Sequence, residues 1–185
     1  MAHPTTTEAL PQVTHSQRHY TGRIISVRVD TLTPPTPDAP APSREVVEHP
    51  GGVCVLPQLP DGRYLLVRQY RHPLGEWLLE FPAGKLDVAG EAPLVAVQRE
   101  LWEETGYTAQ TWEPLTVMVT APGFCDEKIH LFKATGLALD PTYTPPDPNE
   151  DTRPVAMHAH ELLHAARTGQ LVDGKSLALL AWLTP

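Results

Sequence analysis

The fold is decided by the stretch Glu80-Phe-Pro-Ala-Gly84-Lys-Leu-Asp-Val-Ala-Gly90-Glu-Ala-Pro93-Leu-Val-Ala-Val-Gln-Arg-Glu-Leu-Trp-Glu-Glu-Thr-Gly106-Tyr107. Its pattern predicts a strand, a loop and then a helix. Gly84 and Gly90 allow the loop backbone conformations that residues with a Cβ avoid. Proline is tolerated in a first helical turn and glycine commonly follows a last one, so the helix is expected between Pro93 and Gly106.

Three carboxylates cluster on this predicted helix. At about 100° per residue, Glu100, Glu103 and Glu104 fall within roughly a third of the helix circumference. Carboxylates this close raise one another's pKa unless a cation neutralises them. Oxygen ligands of this kind suit Mg²⁺, whose coordination shell is usually completed by substrate phosphates. An apolar stripe beside the carboxylates predicts the buried face of the helix: Leu94, Val97 and Leu101.

A glutamate pair on a helix is, taken alone, usually only a solvated face. Here the glutamates belong to a longer pattern that resembles the Nudix box, G-x5-E-x7-R-E-U-x-E-E-x-G-U, in which U is aliphatic or aromatic. One departure is that six residues, rather than five, separate Gly84 from Glu91, so either Glu91 or Asp87 is expected to fill the first acidic position. The matching positions are Gly84, Glu91, Arg99, Glu100, Glu103, Glu104, Gly106 and Tyr107.

Composition limits the class of protein. The chain has 185 residues, 41% of them hydrophobic, which is enough for a domain with a sizeable core. Its net charge of −8 argues against a nucleic-acid or anionic-membrane surface, so neither partner is expected. Two cysteines, Cys54 and Cys125, are too few for a disulfide scaffold and favour the cytoplasm. No secretory signal is visible, and no apolar run approaches the ~18 residues needed to span a bilayer.

The first fifty residues are expected to form a flexible segment followed by a strand ribbon. Residues 1–18 are polar and are predicted to be loose. Alternating residues predict a strand over 20–32, a proline-rich loop over 34–43 and a second strand over 44–49. Such a two-stranded ribbon is unstable alone, so it must pack on the rest of the domain or on a second subunit.

Residues 51–185 are predicted to form one domain of short strands and a few helices. Its fold class is a mixed α/β sandwich, and the resemblance makes this a Nudix-like α/β/α sandwich with a mixed sheet. A proline-rich acidic loop is expected over 141–151. The predicted strands cover residues 52–57, 63–71, 77–81, 115–120, 128–134 and 155–158, and the later helices cover 161–167 and 175–182.

Four further segments are similar to the ADP-ribose pyrophosphatase branch of the Nudix superfamily. The resemblance implies hydrolysis of ADP-ribose to AMP and ribose 5-phosphate. Another nucleotide sugar or a dinucleotide remains an alternative substrate. In this branch the amino-terminal region exchanges with a partner subunit, so a homodimer is expected. The segments are Arg44-Glu-Val-Val-Glu-His-Pro, Arg68-Gln-Tyr-Arg71, Trp77-Leu-Leu-Glu-Phe-Pro-Ala-Gly and Pro122-Gly-Phe-Cys-Asp-Glu127-Lys-Ile-His-Leu.

The resemblance also implies roles for individual residues. Mg²⁺, or else Mn²⁺, is expected on Glu100, Glu104 and the backbone carbonyl of Ala83. Glu103 either binds metal or acts through the ligands, and Arg99 holds it at ion-pair spacing. The remaining roles are a catalytic base or metal ligand, Glu127, and substrate-binding arginines, Arg71 and Arg44, whose planar forks suit phosphate.

Two other readings follow from the sequence. His160-Glu-Leu-Leu-His164 spells the H-E-x-x-H motif of zinc metallopeptidases, although a five-residue pattern often arises by chance. A Nudix fold can also hold a nucleotide as a sensor without cleaving it. A sensor would be expected to lack a carboxylate of the box, and here Glu100, Glu103 and Glu104 are all present, which favours an enzyme.

Overall fold

A computed structural model describes residues 10–144 and 153–184. The chain divides into two compact units, Met1–His49 with Ala121–Asp126, and Pro50–Thr120 with Glu127–Pro185. Part of the predicted loose segment, residues 1–9, and most of the predicted loop over 141–151 lie outside the described residues.

Within its described residues, the first unit contains a three-stranded antiparallel sheet in the order β1-β2-β3. The strands are β1 (Val13–Thr21), β2 (Ser26–Leu32) and β3 (Ser43–Glu48). The prediction of a two-stranded ribbon was therefore wrong, and so was the single strand over 20–32. A turn interrupts that strand, closed by the Gly22 N–H donating to the Ile25 carbonyl at 2.8 Å.

Strand β1 was missed because it is exposed along its whole length and shows no apolar alternation. Polar contacts with its neighbours hold it instead. The Ser16 hydroxyl donates to Asp30 at 2.6 Å, and Arg18 pairs with Glu48 at 2.5 Å. Arg28 also pairs with Glu48, at 2.5 Å, and with Asp30.

The described part of the second unit contains two sheets and three helices. One sheet is mixed, in the order β7-β4-β9-β8 with β4 parallel to β9, and the other is antiparallel, in the order β10-β5-β6. The strands are β4 (Gly52–Pro57), β5 (Tyr64–Arg71), β6 (Glu76–Glu80), β7 (Ala83–Lys85), β8 (Tyr107–Val119), β9 (Lys128–Leu139) and β10 (Arg153–Met157). The helices are α1 (Pro93–Thr105), α2 (Ala159–Arg167) and α3 (Gly174–Leu179), which continues into a 3₁₀ turn, Leu180–Trp182.

Strand β4 shows why this unit is a sandwich. Its six residues are all buried, and alternate side chains enter opposite layers. Cys54 and Leu56 pack in a core with residues of α2 and α3, whereas Val53 and Val55 pack in a core with residues of α1. The predicted α/β/α sandwich with a mixed sheet is therefore confirmed.

Three local predictions need correction. β8 begins at Tyr107 rather than at residue 115. The sequence did not predict residues 107–114 as strand because they show no regular apolar alternation. Residues 83–85 form the short strand β7 inside the predicted loop, paired with β4. On α1, Val97 and Leu101 are buried as expected, but Leu94 is exposed because the covered part of the helix begins at Ala96.

Candidate active site

Helix α1 presents the carboxylates of Glu100 and Glu104 one turn apart on the same face. The helix ends where predicted, at Gly106, whose φ of 76° is left-handed and whose N–H donates to the Trp102 carbonyl at 2.8 Å. Glu100 and Glu104 are half-buried, whereas Glu103 is exposed. The three predicted carboxylates thus meet two different environments.

Gly84 is needed because the carboxyl group of Glu100 lies directly against it. A Cβ placed on Gly84 would lie 1.8 Å from Glu100 Cδ, far inside contact distance. Gly84 sits in β7, opposite Val53 of β4, and its φ is not positive. The sequence prediction had ascribed Gly84 to backbone conformation, and the structure instead ascribes it to close approach.

Glu104 is anchored to the strand that leads into the box. Its Oε2 accepts a hydrogen bond from the Ala83 N–H at 3.1 Å. Burial raises the pKa of the Glu104 carboxyl to about 8, because the charged form loses its hydration, and the nearby Glu100 adds to this rise. Burial also raises the pKa of Glu100, against the opposing charge of Arg99. This face of α1 is therefore deficient in positive charge.

Arg99 joins the acidic residues of the box. Its guanidinium makes two hydrogen bonds to Glu91, at 3.1 and 3.0 Å, and contacts Glu100 at 2.8 Å and Glu103 at 2.9 Å. These bonds hold the pKa of Glu91 below its usual value. The extra loop residue before Glu91 does not prevent this pairing, and it is Glu91 rather than Asp87 that reaches Arg99.

The donors on this face fit a hard divalent cation. Mg²⁺ is usually bound by one or two carboxylates, with waters and substrate phosphates completing an octahedron. Glu100 and Glu104 supply two such carboxylates with raised pKa values, the state that a cation would relieve. Within residues 10–144 and 153–184 no group of three or more His, Cys, Asp or Glu side chains is ready to hold a metal.

Glu127 lies at the end of the mixed sheet that also carries the box strand β7. It directly precedes β9, and its carbonyl accepts from the Thr120 N–H at 3.4 Å. At this end of the sheet, Gly52 pairs with both Lys85 of β7 and Ile129 of β9. Two strand spacings separate β9 from β7, a distance of about 10 Å. The sheet topology thus brings Glu127 into the neighbourhood of the box.

The two predicted substrate arginines lie in different units. Arg71 ends β5 in the second unit, where its Nε and Nη2 donate to the two carboxylate oxygens of Glu80, both at 2.6 Å. Arg44 lies on β3 in the first unit, and its Nη1 donates to the Ser43 carbonyl at 2.8 Å.

Sequence reasoning missed the buried partners of Arg71. Glu80 is 1% exposed and pairs with both Arg71 and Lys175, and Lys175 also pairs with Asp173 at 2.8 Å. Burial alone would raise the pKa of Glu80, but its cationic partners bring it below the usual value. A charged residue inside the apolar run 77–81, and the helix-capping sequence Asp173-Gly-Lys-Ser, were the available signals.

One cavity of the second unit is lined by residues outside the box. A cavity of about 270 Å³ in the second unit is lined by Arg68, Trp77 and Arg153. Because side chains alternate along a strand, Arg68 and Arg71 point to opposite faces of β5. None of the carboxylates of the box is among the residues that line this cavity, and we locate the candidate site by its chemistry.

The H-E-x-x-H pattern serves as the start of a helix. It lies on α2, where Glu161 accepts from the His158 backbone N–H at 2.7 Å and so forms a capping box. His160 and His164 are exposed, and no third metal-ligating side chain joins them among the described residues. The zinc-peptidase reading therefore has no support in the geometry.

Comparisons with known proteins agree with the site. The NUDIX domain family model matches residues 48–180. The chain is 34% identical to a methanol dehydrogenase activator of Bacillus methanolicus, over 91% of this chain and 89% of that protein. It is 34% identical to an ADP-ribose pyrophosphatase of Bacillus subtilis, over 89% of this chain and 87% of that protein. It is 38% identical to an ADP-ribose pyrophosphatase of Mycobacterium tuberculosis, over 88% of this chain and 78% of that protein.

A solved structure described as an ADP compounds hydrolase has the same fold, with a TM-score of 0.77 and 20% identity, and the match covers 94% of this chain and 93% of that one. The mixed α/β/α sandwich and the carboxylate helix define the class, and the chain belongs to the Nudix family. Within that family it is a pyrophosphohydrolase. In the described part of the chain, every helix is too short or too polar to cross a membrane.

The raised pKa of Glu104 predicts that the free energy of unfolding of the metal-free protein depends on pH. A carboxyl that titrates near 8 when folded and near 4.5 when unfolded releases its proton first in the unfolded state, so stability falls between these pH values. Glu104→Gln should match the wild type at pH 4 and exceed its free energy of unfolding by about 4 to 5 kcal/mol at pH 8.5. Urea denaturation in EDTA measures the difference. The exposed Glu113→Gln should show none, and a pH-independent difference would contradict the assignment.

Proposed function

We propose that the chain hydrolyses the pyrophosphate bond of ADP-ribose to give AMP and ribose 5-phosphate. The observation that carries the proposal is the pair Glu100 and Glu104, set against Gly84 and neutralised in part by Arg99. The two ADP-ribose pyrophosphatase relatives, each similar over most of both chains, support the choice of substrate. Water adds to one phosphorus, and the bond from that phosphorus to the bridging oxygen breaks.

Mg²⁺, or Mn²⁺ in its place, would be held by Glu100 and Glu104, with the Ala83 carbonyl as the proposed third protein ligand. When bound, the cation neutralises the pyrophosphate and orients the attacking and leaving oxygens. The Ala83 N–H holds Glu104 in its orientation, and Arg99 does the same for Glu100. Glu103 is held by Arg99 from the exposed side and acts on or through this set.

Glu127 is proposed to take the proton of the attacking water or, as the alternative role, to bind a metal ion. A general base must come within about 3 Å of the proton it takes, directly or through one water. Glu127 directly precedes β9, which lies two places from β7 in the mixed sheet. Residues on loops held by a rigid sheet are well suited to such a role.

Substrate recognition is proposed to depend on arginine. A guanidinium binds phosphate through two parallel hydrogen bonds, and the Glu80 carboxylate uses only Nε and Nη2 of Arg71. The Nη1 group is left for the substrate. Arg44, in the amino-terminal unit, is proposed to contribute as well. The contribution would come through a homodimer in which this unit reaches a partner's site, as the resemblance to the ADP-ribose pyrophosphatase branch implies.

Two alternatives remain open within the same fold. Another nucleotide sugar or a dinucleotide would use the same carboxylates with different contacts to the leaving group. A nucleotide sensor would bind without turnover. We propose a cytoplasmic location, in line with two cysteines that are both free thiols.

The test is hydrolysis of ADP-ribose with Mg²⁺ beside a panel of nucleotide sugars, dinucleotides and a peptide with Zn²⁺. We expect AMP and ribose 5-phosphate as the products, and no activity in EDTA. If a different nucleotide sugar is hydrolysed with a higher kcat/KM, that compound replaces ADP-ribose as the proposed substrate, and the proposed reaction is unchanged. Tight nucleotide binding without products would favour the sensor. Light scattering should give the mass of a dimer, and a monomer with full activity would remove the shared-site proposal.

A further inference from the structure

The start of α3 is bonded to the short link between β6 and β7. The Phe81 N–H donates to the Ser176 hydroxyl oxygen at 2.8 Å, and that hydroxyl donates to Asp173 at 2.6 Å. Asp173 also caps the helix by accepting from the Ser176 N–H at 3.0 Å. Ser176 and Phe81 are fully buried, so water does not compete for these bonds. Two residues after Phe81, the Ala83 N–H is bonded to Glu104, so the segment is held at both ends.

The same helix supplies a charge to the interior beside this segment. Lys175 pairs with Glu80 and with Asp173, and its side chain is 11% exposed. Glu80 in turn receives the two parallel bonds from Arg71, whose side chain is 37% exposed. Two carboxylates and two cations therefore alternate in a row of ion pairs: Asp173, Lys175, Glu80 and Arg71. Every charge in the row has a partner, which is the condition for burying such groups.

Stability alone is a weak reason for this arrangement. A buried ion pair loses much of its attraction to desolvation, and well-packed apolar residues in its place are often as stable. What the row does provide is geometry. A guanidinium on a long side chain has many rotamers, and the two parallel hydrogen bonds to Glu80 select one of them. Arg71 is thereby fixed at the end of β5, with its Nη1 group not bonded to Glu80.

We propose that Glu80 and Lys175 are positioning residues for substrate binding, which act by fixing the guanidinium of Arg71. Glu80 makes the contact, and Lys175 fixes Glu80 from α3. This inference rests on the proposed function, in which Arg71 binds a phosphate of the substrate. It extends the site to the carboxyl-terminal helix, 95 positions after Glu80 in the chain.

The test compares KM with kcat for ADP-ribose. Glu80→Gln keeps the shape but loses one arm of the fork, and KM should rise about tenfold, the loss of about 1.4 kcal/mol of binding, with kcat within about threefold of wild type. Arg71→Ala should raise KM by more. The double variant should be no worse than Arg71→Ala alone, because Glu80 acts only through Arg71. Additive effects, or an unchanged KM, would overturn the proposal.

A second set of variants tests the same proposal without changing Glu80, in case Glu80→Gln does not fold. Lys175→Met should raise KM in the same direction by a smaller factor, and Lys175→Arg should restore it. Arg63→Met, which removes the exposed ion pair with Asp61, should leave KM at the wild-type value. A loss of stability in Lys175→Met with no change in KM would assign the row to folding alone.

A spectroscopic readout separates this inference from the proposed function. The Nε–H of Arg71, bonded to a buried carboxylate, should give a slowly exchanging NMR signal that is lost in Glu80→Gln and shifted in Lys175→Met. If the wild type shows this signal but does not hydrolyse ADP-ribose, the substrate proposal fails and Glu80 still fixes Arg71. If the signal is absent in an active wild type, the positioning role fails alone.

Discussion

Glu104→Gln is expected to lower kcat/KM for ADP-ribose by about 10³-fold, a loss of about 4 kcal/mol of transition-state stabilisation. The amide oxygen can still accept the Ala83 N–H, so the local geometry should persist. What the variant removes is a charge that only a cation would make favourable in this buried position. The fold should therefore survive the change while catalysis does not.

The measurement is steady-state hydrolysis of ADP-ribose over a range of Mg²⁺ concentrations, with calorimetry of Mg²⁺ binding alone. Glu104→Gln should need more Mg²⁺ for half-maximal rate and should bind it more weakly. Glu113→Gln, an exposed carboxylate on β8, should retain the wild-type kcat/KM. Activity of Glu104→Gln within about threefold of wild type would contradict its assignment as a metal ligand.

Gly84→Ala is the second large effect. The new methyl group would occupy the space of the Glu100 carboxyl, so that side chain must move by an ångström or more. A displacement of about 1 Å at a reacting centre can reduce the rate about 10²-fold, and we expect a loss of that order in kcat/KM. Because a side chain rather than backbone gives way, thermal unfolding should change by only a few degrees.

The control for Gly84→Ala is Gly174→Ala, at the first residue of α3. No atom lies within 4 Å of a Cβ placed there, and its φ is not positive. The same methyl group should therefore leave kcat/KM unchanged. If Gly84→Ala keeps full activity, Glu100 does not need its observed position. If the midpoint of thermal unfolding of Gly84→Ala instead falls far below that of the wild type, Gly84 is required for folding rather than for the position of Glu100.

The sequence predicted those features that depend on neighbouring residues. The bounds of α1 followed from Pro93 and Gly106, and the cluster of Glu100 and Glu104 followed from the helical repeat. Strand β4 followed from its continuous apolar run. Each of these signals is contained within a few turns or one strand, so no knowledge of the rest of the chain was required.

Strands held by polar contacts were harder to predict. β1 is exposed throughout and depends on pairs such as Arg18 with Glu48, which are 30 residues apart. The first half of β8 is likewise mostly exposed. In both cases the backbone ladder, rather than an apolar face, identifies the strand, and a ladder needs a partner that the local sequence does not specify.

The sequence by itself determined the carboxylate helix and the order of most elements, because periodicity and capping are local, and the family through its resemblance to the Nudix box. The tertiary structure alone decided what those carboxylates meet. It showed Glu100 against Gly84, Glu104 on the Ala83 N–H, and Lys175 on Glu80. Burial then sets the pKa of Glu104, and burial is a property of the packed layers rather than of any short stretch of sequence.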